Sequence, residues 1–219
     1  MRVARTAPGK IGRAIALFLA LGGSAWGEVA AALPHDGQTG AQESVRGFYR
    51  VLLMTMKNAR TLGQGGRYAA LAPIVNSVFD VPSMARLAVG PTWDTLTPTQ
   101  QQRITTAFGR YVSATYADRF NSYSGQQLEV TGGEPYAGGI IVETKIIRAG
   151  QEPVTINYMM RQHEGAWQIS DVYLDGTISQ LATQRSEFHS ILVRDGVEGL
   201  ISALARKVDL LTSNTPRSP

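Results

Sequence analysis

The stretch Gly139–Asp175, "GIIVETKIIRAGQEPVTINYMMRQHEGAWQISDVYLD", has the clearest β-strand pattern in the chain. Apolar and polar residues alternate through three runs within it, which is the period of a β-strand with one buried face. The connections "AGQEP" and "HEG" between the runs are short enough for hairpins, so neighbouring strands are expected to be antiparallel. A shorter run of the same kind, Leu128–Pro135, precedes them. Together these runs predict a curved antiparallel sheet of about four strands.

The alternation also assigns residues to the two faces of the predicted sheet. In the last run, strict alternation places Ile169 and Asp171 on one face and Val172 and Leu174 on the other. The pattern does not say which of these faces is turned toward the protein interior. Residues from both faces are therefore kept as candidates for an interior wall.

Helical periods precede the sheet. Apolar residues recur at helical spacing in 41–60 and again in 71–79, with a glycine-rich break between the two segments. Asp80 is suited to cap a short helix that ends near Gly90. Thr97 has the spacing of a capping-box residue, and the apolar period continues for about five turns after it.

Helical periods return after the sheet. We expect Asp175 to cap one helix, and Asp195 to cap a last helix with Glu198 at its third position. The order of helices, antiparallel sheet and helices predicts the α+β class. Because a sheet with one apolar face must be covered, the helices are expected to pack on it and to leave an apolar pocket between them.

Positive charge is concentrated at the N-terminus. The chain has 21 basic and 17 acidic residues, and four of the basic ones lie within the first 13 positions. The remainder of the chain is close to neutral, whereas a nucleic-acid-binding protein needs a basic face that neutralises phosphates. We therefore expect no nucleic-acid partner.

The N-terminal segment has the layout of a secretory signal peptide. Basic residues precede the apolar run Ala14–Gly23, and small residues follow it. The run is too short to cross a bilayer, which takes about 20 apolar residues. We expect a signal peptide over 1–27 with cleavage between 27 and 32, a linker over 28–40, one domain over 41–211 and a disordered tail over 212–219. The chain contains no cysteine, so it offers no lipoprotein anchor, disulfide or thiolate metal ligand.

Asp171 and Asp175 are the acidic residues that most resemble a catalytic pair. In an extended strand they are separated by roughly 13 Å, at about 3.3 Å per residue, which is too far for two carboxylates acting on one bond. A turn at Asp175–Gly176 explains the second residue better. Asp171 is expected either to be solvated or to pair with an arginine such as Arg185.

The histidines do not indicate a metal site. His35, His163 and His189 fall in the predicted linker, a hairpin turn and a helix, with no spacing typical of zinc ligands. The chain also lacks the strand–turn–helix frame of a nucleotide-binding loop and the serine elbow of a hydrolase. We therefore expect no metal, no cofactor and no catalytic residues.

Large, adaptable apolar side chains are more informative than the charged residues. Packing in a core explains any single one of them, but as a group they also suit the wall of a cavity for an apolar ligand. The candidate wall residues are Phe79, Met84, Leu87, Phe108, Tyr111, Val112, Tyr116, Ile140, Val142, Ile156, Tyr158, Met160, Ile169, Val172, Leu181, Phe188 and Leu192.

Three segments in a fixed order carry a resemblance to a known family. They are "LAVGPTWDTLTPTQQQRITTAFGRYVSATYADRF", "VETKIIRAGQEPVTINYMMRQHEGAWQISDVYLDGTIS" and "QRSEFHSILVRDGVEGLISAL". From about Val45 to Leu204 the chain resembles the periplasmic lipid carriers of the MlaC / toluene-tolerance type. The piece "GTISQLATQRSEF" is similar to the HpnM-like subgroup associated with hopanoid biosynthesis, so both a phospholipid and a hopanoid remain candidate ligands.

The resemblance implies a fold similar to nuclear transport factor 2, with the domain over 41–211 enclosing a lipid. It implies a monomeric periplasmic carrier without enzymatic activity, which shuttles a lipid between an inner-membrane lipid transporter and an outer-membrane lipoprotein complex. A two-chain lipid with roughly 30 methylenes gains on the order of 24 kcal/mol on leaving water, at about 0.8 kcal/mol each. Such a lipid therefore needs a carrier to cross an aqueous compartment.

Two other functions fit the same sequence. An isomerase or hydratase on this scaffold would use Asp171 with Tyr158 or Tyr173, and it would need a carboxylate of raised pKa inside the pocket. A cell-envelope adaptor without a small ligand would fill the cavity with its own side chains. A long, unfilled apolar cavity favours the carrier, and a small pocket with a buried aspartate favours the enzyme.

Overall fold

The computed structural model describes residues 35–213 as five α-helices and five β-strands. The helices are α1 (His35–Lys57), α2 (Ala59–Val78), α3 (Val81–Val89), α4 (Pro98–Arg119) and α5 (Gln180–Thr212), with a 3₁₀ helix at Gly90–Thr95. The strands are β1 (Gln127–Tyr136), β2 (Gly139–Ile147), β3 (Val154–His163), β4 (Ala166–Leu174) and β5 (Ile178–Ser179). This is the predicted α+β order, and it confirms that fold class.

The strands form one antiparallel sheet in the order in which they occur in the chain. The sequence predicts about four strands, and the structure adds β5, whose two residues pair with Tyr173 and Leu174 of β4. A two-residue strand is too short for alternation to reveal it. The turn before it holds Asp175 at φ 50° and Gly176 at φ 75°, and the second conformation favours glycine.

A β-bulge decides which residues of β4 face inward. Ile169 pairs with Met160, and Val172 pairs with Tyr158. Because the two partners lie two residues apart on β3, they share a face, so Ile169 and Val172 share that face as well. All four side chains are buried. The extra residue on β4 thus overturns the prediction, from strict alternation, that Ile169 and Val172 lie on opposite faces.

Helix α1 covers one end of the inner face of the sheet. Phe48 is fully buried, and its ring lies 5.5 Å from that of Phe79, 5.1 Å from that of Tyr116 and 6.4 Å from that of Tyr158, centroid to centroid. The three contacts are edge-to-face, the arrangement that aromatic rings favour. This aromatic cluster joins α1, α4, β3 and the residue that follows α2 into one core.

Helix α5 is sharply bent at Gly196, where φ is 67° and ψ is −167°. Lys207 Nζ lies 2.6 Å from Glu187 Oε1, although 20 residues of straight helix would separate them by about 30 Å. The two halves of α5 therefore fold back on each other, in agreement with the two predicted helices. The predicted cap at the bend is wrong, because Asp195 pairs with Arg194 and Glu198 pairs with Arg103.

The other predicted helix boundaries agree in part. Asp80 accepts a hydrogen bond from the Ser83 N–H at 3.1 Å, and Thr97 forms the predicted capping box with Gln100. The glycine-rich break appears inside α2 at Gly63, where φ is 60°. Helix α1 begins at His35, six residues before the predicted start, so the predicted linker is partly helical.

Within residues 35–213, no helix is long and apolar enough to span a membrane. The predicted signal peptide over 1–27, the linker as far as residue 34 and the tail from residue 214 lie outside the described residues.

Candidate functional site: an apolar cavity

An unfilled cavity of about 160 Å³ lies between the sheet, α3, α4 and the first half of α5. Apolar and aromatic side chains form most of its wall. Its fifteen lining residues are Phe79, Met84, Phe108, Tyr111, Val112, Thr115, Tyr116, Arg119, Phe120, Ile156, Val172, Leu174, Gln180, Leu181 and Gln184.

Helix α4 contributes nearly half of this wall with a single face. Its lining residues begin at Phe108 and recur at spacings of three and four as far as Phe120, which places them along one stripe of the helix. The buried end of the stripe is formed by Phe108 and Val112, whereas Thr115, Tyr116 and Phe120 are half-buried. Exposure therefore increases toward the C-terminal end of α4, which marks this end as the mouth of the cavity.

The sheet contributes the opposite wall. Ile156 and Leu174 are direct partners on β3 and β4, and Val172 lies on the same face, two residues before Leu174. The bulge in β4 is what allows this face to continue inward along the strand. The wall is thus built from the β4 end of the sheet, and the β1 end contributes nothing to it.

Asp171 holds the first turn of α5 against the cavity. Its Oδ2 accepts a hydrogen bond from Ser179 Oγ at 2.6 Å, and its Oδ1 accepts one from the Leu181 N–H at 3.1 Å. A carboxylate at a helix N-terminus is well placed, because the free N–H groups there carry partial positive charge. The predictions that Asp171 is solvated or pairs with Arg185, and that Asp175 caps the helix, are wrong, since Ser179 is the N-cap.

A chain of hydroxyl groups runs behind the wall. Tyr49 Oη lies 2.6 Å from Thr144 Oγ1 and 3.3 Å from Tyr158 Oη, and Tyr116, which lines the cavity, interacts electrostatically with Tyr158. Burial is the largest influence on these groups, and it raises the pKa of the Tyr49, Tyr116 and Tyr158 hydroxyls. A neutral tyrosine needs no counter-charge, so this network keeps the interior uncharged.

We expect Tyr49, Tyr116 and Tyr158 to ionise only when the protein unfolds. Because their pKa values in the folded state lie above the ordinary 10.0, the folded protein binds these protons more tightly than the unfolded chain does. Stability is therefore unaffected by these groups below pH 10 and falls as the pH rises further. Tyrosinate absorbance and far-ultraviolet circular dichroism, recorded along one alkaline titration, should change together for the late-ionising fraction.

The matched control for this titration is Tyr158→Phe, which should remove about one tyrosine from the late-ionising fraction. Complete ionisation of every tyrosine near pH 10 with an unchanged dichroism spectrum would contradict the expectation.

The residues named for the enzyme alternative do not line the cavity. Tyr158 lies behind the wall, and Tyr173 is absent from the lining of the cavity. Both oxygens of Asp171 accept hydrogen bonds from the start of α5. In the described part of the chain, no group of three or more histidine, cysteine, aspartate or glutamate side chains is placed to hold a metal ion.

A family model described as MlaC protein matches residues 49–206, which is well over half of the chain. The chain belongs to the MlaC family. The family predicted from the three sequence segments is thereby confirmed, and the narrower HpnM-like subgroup stays a prediction. No curated protein is similar enough to this MlaC-family chain to count as a match.

The fold of this MlaC-family chain is similar to that of a solved phospholipid-binding protein from Ralstonia solanacearum in complex with a phospholipid. The two sequences are 24% identical, and the TM-score is 0.67. The match covers 79% of this chain and 99% of the other. The likeness supports the α+β architecture across nearly the whole described domain.

Nine of the seventeen predicted wall residues line the cavity. They are Phe79, Met84, Phe108, Tyr111, Val112, Tyr116, Ile156, Val172 and Leu181. Ile140, Val142, Tyr158, Met160, Ile169 and Phe188 are buried in the core instead, and Leu192 is partly buried against it. Leu87 is 52% exposed on α3.

The predicted strand residues that do not line the cavity lie on the same inner face of the sheet as those that do. Helix α1 covers their end of the sheet. Phe48 and its neighbours on α1 pack against these strand residues and fill the space at this end of the sheet. Periodicity identifies a buried face of a strand, yet it does not say whether a helix or a void lies opposite. The predicted wall thus includes strand residues that the structure of the MlaC-family chain places in the core.

Six lining residues were not predicted. They are Thr115, Arg119, Phe120, Leu174, Gln180 and Gln184. Three of them continue the stripe of α4 at helical spacing, so the period that identified Phe108 and Val112 could have found them. Gln180 and Gln184 lie on the first turns of α5, and only the folded position of that helix brings them to the cavity.

Proposed function

We propose that this MlaC-family chain is a periplasmic carrier that binds a membrane lipid in the cavity and shuttles it between the inner and outer membranes. The observation that supports this function is an unfilled, largely apolar cavity beneath an uncharged tyrosine network. A ligand-free adaptor would have this space filled by its own side chains. The enzyme alternative would need a carboxylate in the wall, and none of the fifteen lining residues carries one.

The size of the cavity means that lipid binding includes a conformational change. An apolar cavity of about 150 Å³ is large enough for benzene. A lipid with two acyl chains is several times larger, so the wall must move apart to admit it. The first half of α5 is the element suited to move, because Gly196 bends the helix behind it and Leu181 lies on the cavity.

A carrier must release its lipid as well as bind it. Moving an acyl chain from a bilayer into an apolar cavity exchanges one apolar environment for another, so the free energies of loading and release remain nearly balanced. Exposure of the same chain to water costs about 0.8 kcal/mol per methylene. The cavity therefore lowers the barrier to transfer without trapping the lipid.

A phospholipid or a hopanoid is the ligand proposed for this chain. The phospholipid bound by the Ralstonia solanacearum protein of similar fold supports the first choice. The resemblance of residues 176–188 to the HpnM-like subgroup supports the second. The proposed partners are an inner-membrane lipid transporter and an outer-membrane lipoprotein complex, between which the carrier moves as a monomer after removal of its signal peptide.

Native mass spectrometry of the protein purified from its own periplasm, followed by lipid extraction, tests this function. We expect a stoichiometric lipid, and its identity decides between phospholipid and hopanoid. A protein that arrives empty and stays empty after mixing with lipid vesicles would refute the carrier function.

A further inference from the structure

Arg119 is the one charged residue among the fifteen that line the cavity, and no carboxylate is among them. It lies in the last turn of α4, four residues after Thr115 and three after Tyr116, so all three belong to the stripe that faces the cavity. The residue is exposed, whereas Phe79 and Phe108 of the same wall are almost fully buried. Its guanidinium therefore stands at the mouth, beside an apolar interior.

The guanidinium of Arg119 is available to a ligand. In the part of the chain that the structure describes, Arg46, Arg86, Arg103 and Arg194 each form an ion pair with a carboxylate, and Arg119 forms none. Its positive charge nevertheless affects the hydroxyl of Tyr116 in the cavity wall. Burial raises the pKa of the Tyr116 hydroxyl, and the positive charge of Arg119 opposes that rise.

We propose that Arg119 binds the phosphate of the lipid headgroup at the mouth of the cavity, so that the carrier selects amphiphiles with an anionic phosphate next to their acyl chains. This inference rests on the proposed carrier function. The guanidinium presents a planar set of donors that matches two phosphate oxygens, which an ammonium group does not do. The carbonyl groups that end α4 repel anions, so the helix itself cannot supply this contact.

The chemistry of the mouth makes the expected selectivity moderate. Exposed ion pairs contribute little, because water and salt screen them. Arg119 should therefore improve binding of a phosphate-bearing lipid by about two- to fivefold, in the range measured for favourable exposed pairs, and should have no effect on a lipid without a charged headgroup. The apolar wall would still provide most of the affinity.

The test compares the full chain with its Arg119→Gln and Arg119→Lys variants. The matched control is Arg110→Gln, since Arg110 is also exposed on α4 but does not line this cavity. Each protein is mixed with vesicles of dioleoylphosphatidylglycerol, or with dioleoylglycerol delivered from a cyclodextrin complex without any phospholipid, and the lipid bound to the recovered protein is quantified. Thermal unfolding of each variant verifies that it is folded.

We expect Arg119→Gln to reduce bound phosphatidylglycerol about two- to fivefold, to leave bound dioleoylglycerol unchanged and to weaken the salt dependence of loading. Arg119→Lys should retain an intermediate amount, and Arg110→Gln should match the natural protein. Titration with soluble dioctanoylphosphatidylglycerol should show the same difference between the variants. No membrane surface is present in that experiment, so electrostatic attraction to a membrane cannot account for the difference.

Three outcomes would overturn the inference. Equal phosphatidylglycerol in Arg119→Gln and the natural protein would exclude a headgroup contact. Equal loss of phosphatidylglycerol and dioleoylglycerol would assign Arg119 a structural role. An effect that is confined to vesicles and absent with the soluble lipid would assign it to membrane attraction. A natural protein that takes up no lipid at all would instead refute the carrier function itself.

Discussion

Thr115→Trp is expected to abolish lipid loading while the protein remains folded. Thr115 is half-buried in the middle of the α4 stripe, and its side chain borders the cavity of about 160 Å³. Because a cavity of about 150 Å³ holds one benzene ring, an indole ring placed there would occupy most of the free space. Lipid recovered per protein after incubation with phospholipid vesicles should fall at least tenfold.

The matched control for this variant is Thr105→Trp, ten residues earlier on the same helix. Both threonine hydroxyls donate to the carbonyl four residues before them, at 2.8 Å for Thr115 and 2.9 Å for Thr105. Thr105 borders a separate groove formed with residues of α2 and α3. Unchanged loading in Thr115→Trp, or an equal loss in both variants, would contradict a lipid site in the cavity.

Phe48→Ala is expected to cause the largest loss of stability. The Phe48 side chain is fully buried, and its ring packs edge-to-face on Phe79, Tyr116 and Tyr158. Removal of a buried phenyl ring costs about 3–5 kcal/mol, because the transfer free energy is lost and a cavity is left behind. The free energy of unfolding, measured by urea denaturation, should fall by that amount.

Two comparisons make this result specific. Phe48→Leu should lose less stability than Phe48→Ala, because it keeps most of the apolar volume. Tyr123→Ala removes a ring that is 41% exposed, and it should change the free energy of unfolding by less than about 1 kcal/mol. A loss below about 1 kcal/mol in Phe48→Ala would show that the aromatic cluster does not hold α1 on the sheet.

Phe48→Ala and Thr115→Trp test the stability of the fold and the binding of lipid separately. Phe48 lies behind the wall, and its ring joins α1 to the sheet. Thr115 instead borders the free space of the cavity. We expect Phe48→Ala to lower stability but still to load lipid, and Thr115→Trp to remain stable but to load none. These two results together would establish the cavity as the lipid site. The cavity would then be distinct from the core that supports it.

The strand and helix pattern could be predicted from the sequence because each depends on nearby residues. The capping box at Thr97 and Gln100 and the cap at Asp80 are formed by side chains within three residues of their partners. The alternation in β2 and β3 likewise reports which face is buried. The α+β class followed from the order of these local signals along the chain, and the MlaC family followed from the resemblance of three sequence segments.

The bulge in β4, the role of Asp171 and the outline of the cavity depended on contacts between distant segments. Strict alternation cannot reveal the extra residue that turns both Ile169 and Val172 inward, since it arises from pairing with β3. Asp171 meets Ser179 and Leu181 only because the turn at Gly176 brings α5 back to the strand. No local period contains that information.

The order of the helices and of the four long strands, the family and the apolar character of the interior could all be read from the sequence. The position of the cavity within that interior depends on the fold, because helices from distant parts of the chain meet over the sheet. Helix α1 fills the end beneath Ile140 and Tyr158, and α4 with α5 leaves the end beneath Ile156 and Val172 open. The same apolar face thus becomes core at one end and cavity at the other, since packing is set by the shapes that face each other and not by hydrophobicity alone.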